Sequence, residues 1–198
     1  MTERFPELET LVEFIPDVYV LDGEILACNG EQPLNFNILQ KRIGRKKISK
    51  SLMEAAPVIL IAYDLLELEG VDIRNQNLEL RRSKLAKLVN LIPDKLPIKL
   101  SAEIESKTWP DLTRMRETSR SQKAEGIMLK NKDSKYYIGR KKGDWWKWKL
   151  DPLTIDGVLI YAQAGHGRRA NLYTDYTFAI WDNDQPVSYT HLTLPTNC

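Results

Sequence analysis

Cysteine and histidine are scarce in this chain of 198 residues, which contains only two of each. The two cysteines, Cys28 and Cys198, lie far apart, so they cannot form the dense disulfide framework of a small secreted domain. Two histidines and two cysteines also lack the spacing that is typical of a zinc site. The sequence therefore favours a reducing compartment, and we expect the protein in the cytoplasm.

Long apolar segments are missing as well. Residues 1–4 carry charges and lack the apolar core of a secretory signal. The longest apolar-rich run, residues 55–66, is too short to cross a bilayer and contains Asp64. We therefore expect no membrane as a partner.

The overall composition is that of an ordinary globular protein, with 42% hydrophobic and 28% charged residues. A net charge of +2 does not identify a partner, but the basic residues are concentrated in two stretches. The first stretch contains Lys41, Arg42, Arg45, Lys46, Lys47 and Lys50, and the second contains Arg140, Lys141, Lys142, Lys147 and Lys149. Such stretches either neutralise phosphates or form a solvated charged surface, and the first stretch alone favours the solvated surface.

Hydrophobic periodicity predicts an α+β domain followed by the start of a β domain, with a boundary near Pro152. Helices are predicted at residues 5–15, 35–42, 51–56, 80–91 and 111–117. Strands are predicted at residues 18–27, 58–65, 96–104, 126–130, 145–150, 155–163 and 173–181. The buried faces expected for two of the helices consist of Phe36, Leu39 and Ile43, and of Leu80, Leu85, Leu88 and Val89.

Two carboxylates lie at the centre of the first predicted strand. Alternate side chains of a strand share a face, so Asp22 and Glu24 point the same way. Buried carboxylates are costly unless a cation or hydrogen-bond donors meet them. A magnesium site or a role as hydroxyl acceptor would explain both residues. The alternative is an edge strand whose polar face lies in water, and the sequence leaves both interpretations open.

Two further segments combine apolar strands with chemically active side chains. Tyr63 ends a buried strand, where its ring could stack on a flat base, although an aromatic residue there is more often simply core. Glu125 begins a strong strand, and Gly126 leaves room for close approach by a ligand or by backbone. Lys130 falls on the opposite face of an ideal strand from Glu125, so the two residues need not share a site.

The last segment alternates tryptophan and lysine. Lys147 and Lys149 share one face of the predicted strand, whereas Trp146 and Trp148 share the other. Aligned lysines repel each other unless an anion such as a phosphate lies between them, and the tryptophans indicate that the opposite face is well buried. The alternative is a half-exposed strand whose lysines lie in solvent.

The order of these segments resembles that of the nucleotidyltransferase motifs in ATP-dependent DNA ligases, most closely the bacterial type, from about Arg4 to about Pro186. The matching segments are residues 21–26, 63–66, 125–130 and 147–149, with residues 42–45, 133–136 and 139–140 also following the family. The resemblance implies a partial nucleotidyltransferase fold of antiparallel sheets with flanking helices at residues 1–151. It also implies the first strands of an oligonucleotide-binding (OB) fold at 152–186, whereas residues 187–198 do not follow the family pattern.

The same resemblance implies a site for ATP and Mg²⁺. By position, Glu24 would contact the ribose or the metal, Tyr63 would stack on adenine, and Glu125 would help to hold magnesium. The cations implied to hold the nucleotide phosphates are Lys147, Lys149 and, as a weaker candidate, Lys141. The implied partner is nicked duplex DNA, and we expect a monomer.

One essential part of the family pattern is absent. The nucleophile of these ligases is the lysine of a Lys-x-Asp-Gly motif, but the two Asp-Gly pairs here follow Val20 and Thr154 at that spacing. We therefore expect the chain itself to be inactive in self-adenylation. Two alternatives remain, an RNA ligase or RNA-capping nucleotidyltransferase with the same fold, and a non-catalytic nucleic-acid-binding remnant.

Overall fold

The computed structural model describes residues 2–15, 18–30, 32–139, 141–154, 156–182 and 185–187. The chain divides into two units between Leu150 and Asp151. The first unit mixes sheets with flanking helices, which confirms the predicted α+β class. Of the predicted tail at 187–198, only Val187 lies within the described residues.

Seven strands and four α-helices form the first unit among the described residues. The strands are β1 (Val20–Asn29), β2 (Gln32–Pro33), β3 (Val58–Leu68), β4 (Val71–Asp72), β5 (Ile98–Leu100), β6 (Gly126–Lys130) and β7 (Trp145–Lys149). The α-helices are α1 (Phe36–Ile43), α2 (Lys50–Ala55), α3 (Leu78–Asn90) and α4 (Trp109–Thr118), preceded by 3-10 helices at Thr2–Arg4 and Pro6–Glu13. None of the described helices is long and apolar enough to cross a membrane.

Strand β3 lies at the centre of the main sheet. It pairs antiparallel with β1 along one edge, and along its other edge it pairs antiparallel with β4 and parallel with β5. Helix α3 connects β4 to β5 and packs against the sheet. The core between them consists of Leu11, Ala62, Leu65, Ile73, Leu85, Leu88, Ile92 and Ile98.

The pairing of β1 with β3 is irregular at two places, where Leu66 and Tyr63 are extra residues on β3. Asp22 lies opposite Asp64, but the next residue, Gly23, lies opposite Ala62, so Tyr63 has no partner on β1. Gly23 approaches β3 so closely that a Cβ there would lie 2.5 Å from the carbonyl oxygen of Ile61. Such a bulge changes the direction of the side chains around it, and here it sets the direction of Tyr63.

A fully buried ion pair joins β3 to α3. The Arg81 guanidinium donates two hydrogen bonds of 2.9 Å to the Asp64 carboxylate, and neither side chain is exposed. Arg81 also donates to the carbonyl oxygens of Gln76 and Ser134, and Asp64 accepts from the backbone N–H of Leu65. The pair therefore has the additional hydrogen bonds that a buried charge requires.

A second buried arginine, Arg42, corrects the prediction for α1 and for the first basic stretch. Arg42 is fully buried and donates to the Glu7 carboxylate and to the carbonyl oxygens of Arg4 and Ala56. It is therefore not available to a phosphate. The expected core residues Phe36 and Ile43 are 63% and 36% exposed, because Arg42 occupies the position that faces the interior.

Three other predicted elements differ from the structure. The predicted helix at 5–15 is instead a 3-10 helix at Pro6–Glu13, whose first turn is closed by an i to i+3 hydrogen bond from the Leu8 N–H to the Phe5 carbonyl oxygen. The predicted strand at 96–104 is shortened to Ile98–Leu100, because only these three residues pair with residues of β3. Leu80 is 45% exposed, since Arg81 takes the buried position on α3.

The second unit is a three-stranded antiparallel sheet. Its strands are β8 (Gly157–Ala164), β9 (Tyr173–Asp182) and β10 (Gln185–Val187), in the order β10-β9-β8. A 3-10 helix at Gly167–Arg169 lies between β8 and β9. Both predicted strands of this region are therefore present, although Ile155 lies outside the described residues.

We expect Asp64→Asn to lower the free energy of unfolding by about 3–5 kcal/mol, because it leaves the buried Arg81 guanidinium without its counter-charge. Urea denaturation followed by circular dichroism measures the change. The matched control is Asp72→Asn, which removes the exposed partner of Arg74 and should change stability little. Equal effects of the two substitutions would contradict the structural importance of the buried pair.

Candidate functional site

Tyr63 and Glu24 contact each other on the open side of the β1–β3 bulge. The half-buried Tyr63 donates its hydroxyl hydrogen to Glu24 Oε2 at 2.7 Å. Burial raises the pKa of Tyr63 far above its ordinary value, and the hydrogen bond to Glu24 and the charges of Glu24 and Asp22 raise it further. Tyr63 is therefore a neutral phenol with a polar edge and an aromatic face.

Asp22 acts electrostatically on a second tyrosine. The pKa of Tyr136 is raised, mainly by burial and then by the charge of Asp22. Of the two carboxylates of β1, Glu24 accepts a hydrogen bond from a tyrosine hydroxyl. Within the described residues β1 has β3 as its neighbour but no strand on its other side from Val20 to Ala27, so the alternative, an edge strand, also describes it.

Lys130 lies beside Tyr63. Its ammonium nitrogen is 4.1 Å from the ring centroid of Trp145 and 5.8 Å from that of Tyr63. Burial lowers the pKa of Lys130, whereas the charges of Asp64 and Asp22 oppose that shift. The end of β6 thus brings a partly desolvated cation to the tyrosine, a contact that strand periodicity alone does not reveal.

Arg82 holds the backbone of the bulge. Its guanidinium donates to the carbonyl oxygens of Tyr63 at 3.0 Å and Ala62 at 3.4 Å, and it also contacts Ser101 through a 2.7 Å bond to its carbonyl oxygen. The Ala62 carbonyl oxygen also accepts from the backbone N–H of Ser101, so Arg82 adds a second donor there. Arg82 was not predicted from the sequence, where the only signal is its place next to Arg81 on an amphipathic helix.

Glu125 and Lys149 form an ion pair at the other end of the β6–β7 hairpin. Lys149 Nζ lies 2.6 Å from Glu125 Oε2, and both side chains are largely exposed. The hydrogen bond and charge of Lys149 lower the pKa of Glu125, and the charge of Lys147 contributes less. The anion that Lys149 contacts here is therefore a carboxylate of the same chain.

The tryptophans of β7 do not form the well-buried face that their spacing predicts. Trp146 is 59% exposed. Trp148 is half-buried: its ring meets that of Trp109 edge to face, and the Arg116 guanidinium lies 4.9 Å from its centroid. The prediction is wrong because β6 and β7 form a separate sheet of two strands among the described residues. Such a hairpin has no second layer that covers both tryptophans.

Gly126 provides room for backbone. Its φ is +144°, and a Cβ at this position would lie 2.3 Å from the carbonyl oxygen of Trp148. Of the two roles that the sequence left open for this glycine, the structure shows close approach by the neighbouring strand. The hairpin that carries Lys147 and Lys149 depends on it.

The predicted site residues form two groups. Glu24 and Tyr63 lie together with Lys130, whereas Glu125 and Lys149 lie at the opposite end of β6. Five residue steps separate Lys130 from Glu125, or about 16 Å along a strand. Lys141 belongs to neither group: its ammonium nitrogen lies 3.6 Å from the ring centroid of Tyr137.

Glu24 and Glu125 could each contribute one carboxylate to a magnesium ion, but they do not form a cluster of protein ligands. Throughout the part of the chain that the structure describes, no three Asp, Glu, His or Cys side chains form a cluster that could hold a metal ion. Mg²⁺ needs no such cluster, since one or two carboxylates, waters and substrate phosphates usually complete its octahedron. Glu125 is ionised and exposed, and Glu24 has one oxygen that Tyr63 does not use.

This arrangement of sheets and helices is that of the nucleotidyltransferase domains of DNA ligases. A Lig E DNA ligase superposes with a TM-score of 0.61 at 18% identity, covering 85% of this chain and 61% of that one. The ligase domain of LigD from M. tuberculosis superposes with a TM-score of 0.58 at 24% identity, covering 99% of this chain and 58% of that one. At such low identity these similarities show the fold.

The sequence comparison shows the family. The model of the ATP dependent DNA ligase domain matches residues 1–149, so the chain belongs to the ATP-dependent DNA ligases. It is 32% identical to a probable DNA ligase of Koribacter versatilis, over 91% of this chain and 35% of the relative. It is 30% identical to a DNA ligase of Methanobrevibacter smithii, over 93% of this chain and 34% of the relative. The chain thus spans about a third of the length of these relatives.

We expect Gly126→Ala to lower the free energy of unfolding by more than about 1 kcal/mol, because the added methyl group meets the Trp148 carbonyl and the backbone is left-handed. Urea unfolding followed by tryptophan fluorescence measures it. The control is Gly44→Ala, where φ is −74° and the nearest atom is 3.6 Å away. A loss of the same size at Gly44 would show that the effect is not specific to the hairpin.

We expect Glu24→Gln to lower the pKa of Tyr63 toward 10.0, with burial keeping it above that value. Ultraviolet titration of the phenolate, compared with that of Tyr63→Phe, measures the shift. Since folding raises this pKa, stability should fall as pH rises above about 10, and less steeply in the variant. As a control, Glu69→Gln should affect Tyr19 and leave Tyr63 unchanged. An unchanged Tyr63 in Glu24→Gln would contradict the observed hydrogen bond.

Proposed function

We propose that this chain is part of an ATP-dependent DNA ligase and that its first unit binds the adenine nucleotide with Mg²⁺. The observation that carries this proposal is the Tyr63–Glu24 pair beside Lys130, on the strands that match the ligase domain. A half-buried aromatic face next to a carboxylate suits a nucleoside, since the ring stacks on the base and the carboxylate accepts from ribose hydroxyls.

Lys147 and Lys149 hold the α-phosphate in this proposal, and Lys141 contributes more weakly to binding the nucleotide phosphates. Glu125 then becomes a ligand of Mg²⁺, with Glu24 as a second candidate. The ion supplies neutralisation of the charge on the phosphate oxygens. Because the Glu125–Lys149 pair is exposed, it contributes little stability and exchanges readily for contacts with phosphate and metal.

The proposed reaction of the whole protein is nick sealing. An enzyme lysine attacks the α-phosphate of ATP and releases pyrophosphate. The AMP then passes to the 5′-phosphate of nicked duplex DNA, and the 3′-hydroxyl attacks that phosphate and releases AMP. No lysine of these 198 residues has the Lys-x-Asp-Gly context for the first step. We therefore propose that the chain binds ATP as a monomer in the cytoplasm without forming lysyl-AMP.

The second unit, in this proposal, is the beginning of an OB-fold domain at residues 152–186. Its three antiparallel strands support that assignment, since an OB fold is a five-stranded antiparallel barrel. The relatives described above are named DNA ligases, which supports DNA over the RNA-ligase and RNA-capping alternatives.

Labelled ATP with Mg²⁺ tests the function. We expect reversible binding to the unmodified chain, and Tyr63→Leu should weaken it roughly tenfold, because stacking on a base is worth about 1–3 kcal/mol. Equilibrium dialysis measures the affinity, and the control is Tyr173→Leu, at an exposed tyrosine of the second unit. Equal affinities of the two variants would contradict the stacking role.

The same samples test the missing nucleophile. After denaturation we expect no label on the chain, whereas an intact ATP-dependent DNA ligase treated in parallel should retain covalent AMP. A covalent adduct on this chain would refute the proposal that it lacks an acceptor lysine.

A further inference from the structure

The segment that carries α1 and α2 has an unusually one-sided charge. Between residues 32 and 53 there is no aspartate or glutamate, whereas there are six lysines and arginines. One of the six, Arg42, is buried and paired with Glu7. The five others are all exposed and form no ion pair among the described residues: Lys41, Arg45, Lys46, Lys47 and Lys50.

Part of this charge lines a concave surface. A depression of about 310 Å³ lies between the α1–α2 loop and helix α2. Its lining residues are Arg45, Lys47, Ser49, Ser51, Leu52 and Ala55. Two cations and two hydroxyl groups therefore face the same space, and none of these lining residues is a carboxylate. Cations and hydroxyl groups are what contacts phosphate oxygens in protein–DNA complexes.

Hydrogen bonds, one of them buried, hold the backbone on both sides of the depression. Arg42 ends the buried face of α1 and donates to the carbonyl oxygen of Ala56, the residue that follows α2. The backbone N–H of Arg45 donates to the carbonyl oxygen of Arg42 at 3.0 Å, and Ser49 Oγ accepts from the N–H of Leu52 at 3.2 Å. The hydroxyl hydrogen of Ser49 remains able to donate. Because the backbone here is held before binding, less of its conformational entropy is lost when an anion binds.

We propose that this depression is a docking site for the phosphodiester backbone of duplex DNA, separate from the residues proposed to bind ATP. The identity of the polyanion as DNA rests on the proposed function. Exposed cations continue beyond the depression at Lys41, Lys46 and Lys50, so the positive surface is wider than a single phosphate requires. A duplex, with one negative charge per about 1.7 Å of its axis, complements such a surface. The binding is independent of base sequence, because the protein touches phosphate.

The double substitution Arg45→Gln/Lys47→Gln tests the site. We expect it to weaken binding of a fluorescently labelled nicked duplex by roughly tenfold at low salt, measured by anisotropy. The slope of log affinity against log salt concentration should become shallower by about 0.9 for each phosphate that the variant no longer neutralises, or nearly two for the pair. The matched control is Lys87→Gln/Lys95→Gln, which removes the same charge from exposed positions of the same unit.

A second variant keeps both cations and adds an opposing charge. Ser51→Glu places a carboxylate in the depression, near the beginning of α2, where an acidic residue does not disfavour the helix. We expect severalfold weaker DNA binding with the free energy of unfolding unchanged or raised. Ser83→Glu on the exposed face of α3 is its control and should leave DNA binding unchanged.

The inference is overturned if the paired variants and their controls lose affinity equally, since general charge would then explain the loss. It is also overturned if inorganic phosphate competes fully at equal ionic strength, which would make this a small-anion site, or if vesicles with anionic headgroups bind more tightly than the duplex. ATP binding, measured in parallel, should be the same in all four variants. If the unmodified chain fails to bind ATP but binds DNA as described, the nucleotide proposal fails and the docking site stands.

Discussion

The ion pair between Asp64 and Arg81 constrains most of the first unit, because neither charge can be left unpaired in the interior. It requires α3 to lie against β3 in one register, and through the carbonyl oxygen of Ser134 it also holds the loop after β6. The residues next to each partner in sequence are Tyr63 and Arg82. The hydrogen bond from Arg82 to the Tyr63 carbonyl follows from the placement of the Asp64–Arg81 ion pair. The same buried charges therefore stabilise the core and orient the candidate site.

The strands were more predictable than the faces of the helices. Residues 126–130 have the predicted bounds, and β3 contains its predicted span, because continuous apolar runs carry a strong signal. The helix faces were wrong where an arginine points inward. Hydrophobic periodicity assigns Arg42 and Arg81 to solvent, and their partners Glu7 and Asp64 lie 35 and 17 residues away, so no local pattern reveals that either charge is neutralised.

For the candidate site, residue order indicated which side chains matter but not how they meet. The hydrogen bond between Tyr63 and Glu24 depends on one extra residue in the β1–β3 ladder, and sequence periodicity assumes a regular strand. The approach of Lys130 to Tyr63 depends on how two separate sheets face each other. Conversely, the direct pairing of Glu125 with Lys149 joins two residues to which the family resemblance assigns different ligands.

That last pair has a consequence for affinity. In the proposed nucleotide site, an incoming phosphate must first displace Glu125 from Lys149, because this lysine already holds a carboxylate of its own chain. An exposed ion pair contributes at most about 1 kcal/mol, so this internal competition lowers the apparent affinity for phosphate by no more than about fivefold. A metal cation that binds Glu125 would leave Lys149 without its carboxylate partner and so make it available to phosphate. Metal and phosphate would then bind cooperatively without any movement of the backbone.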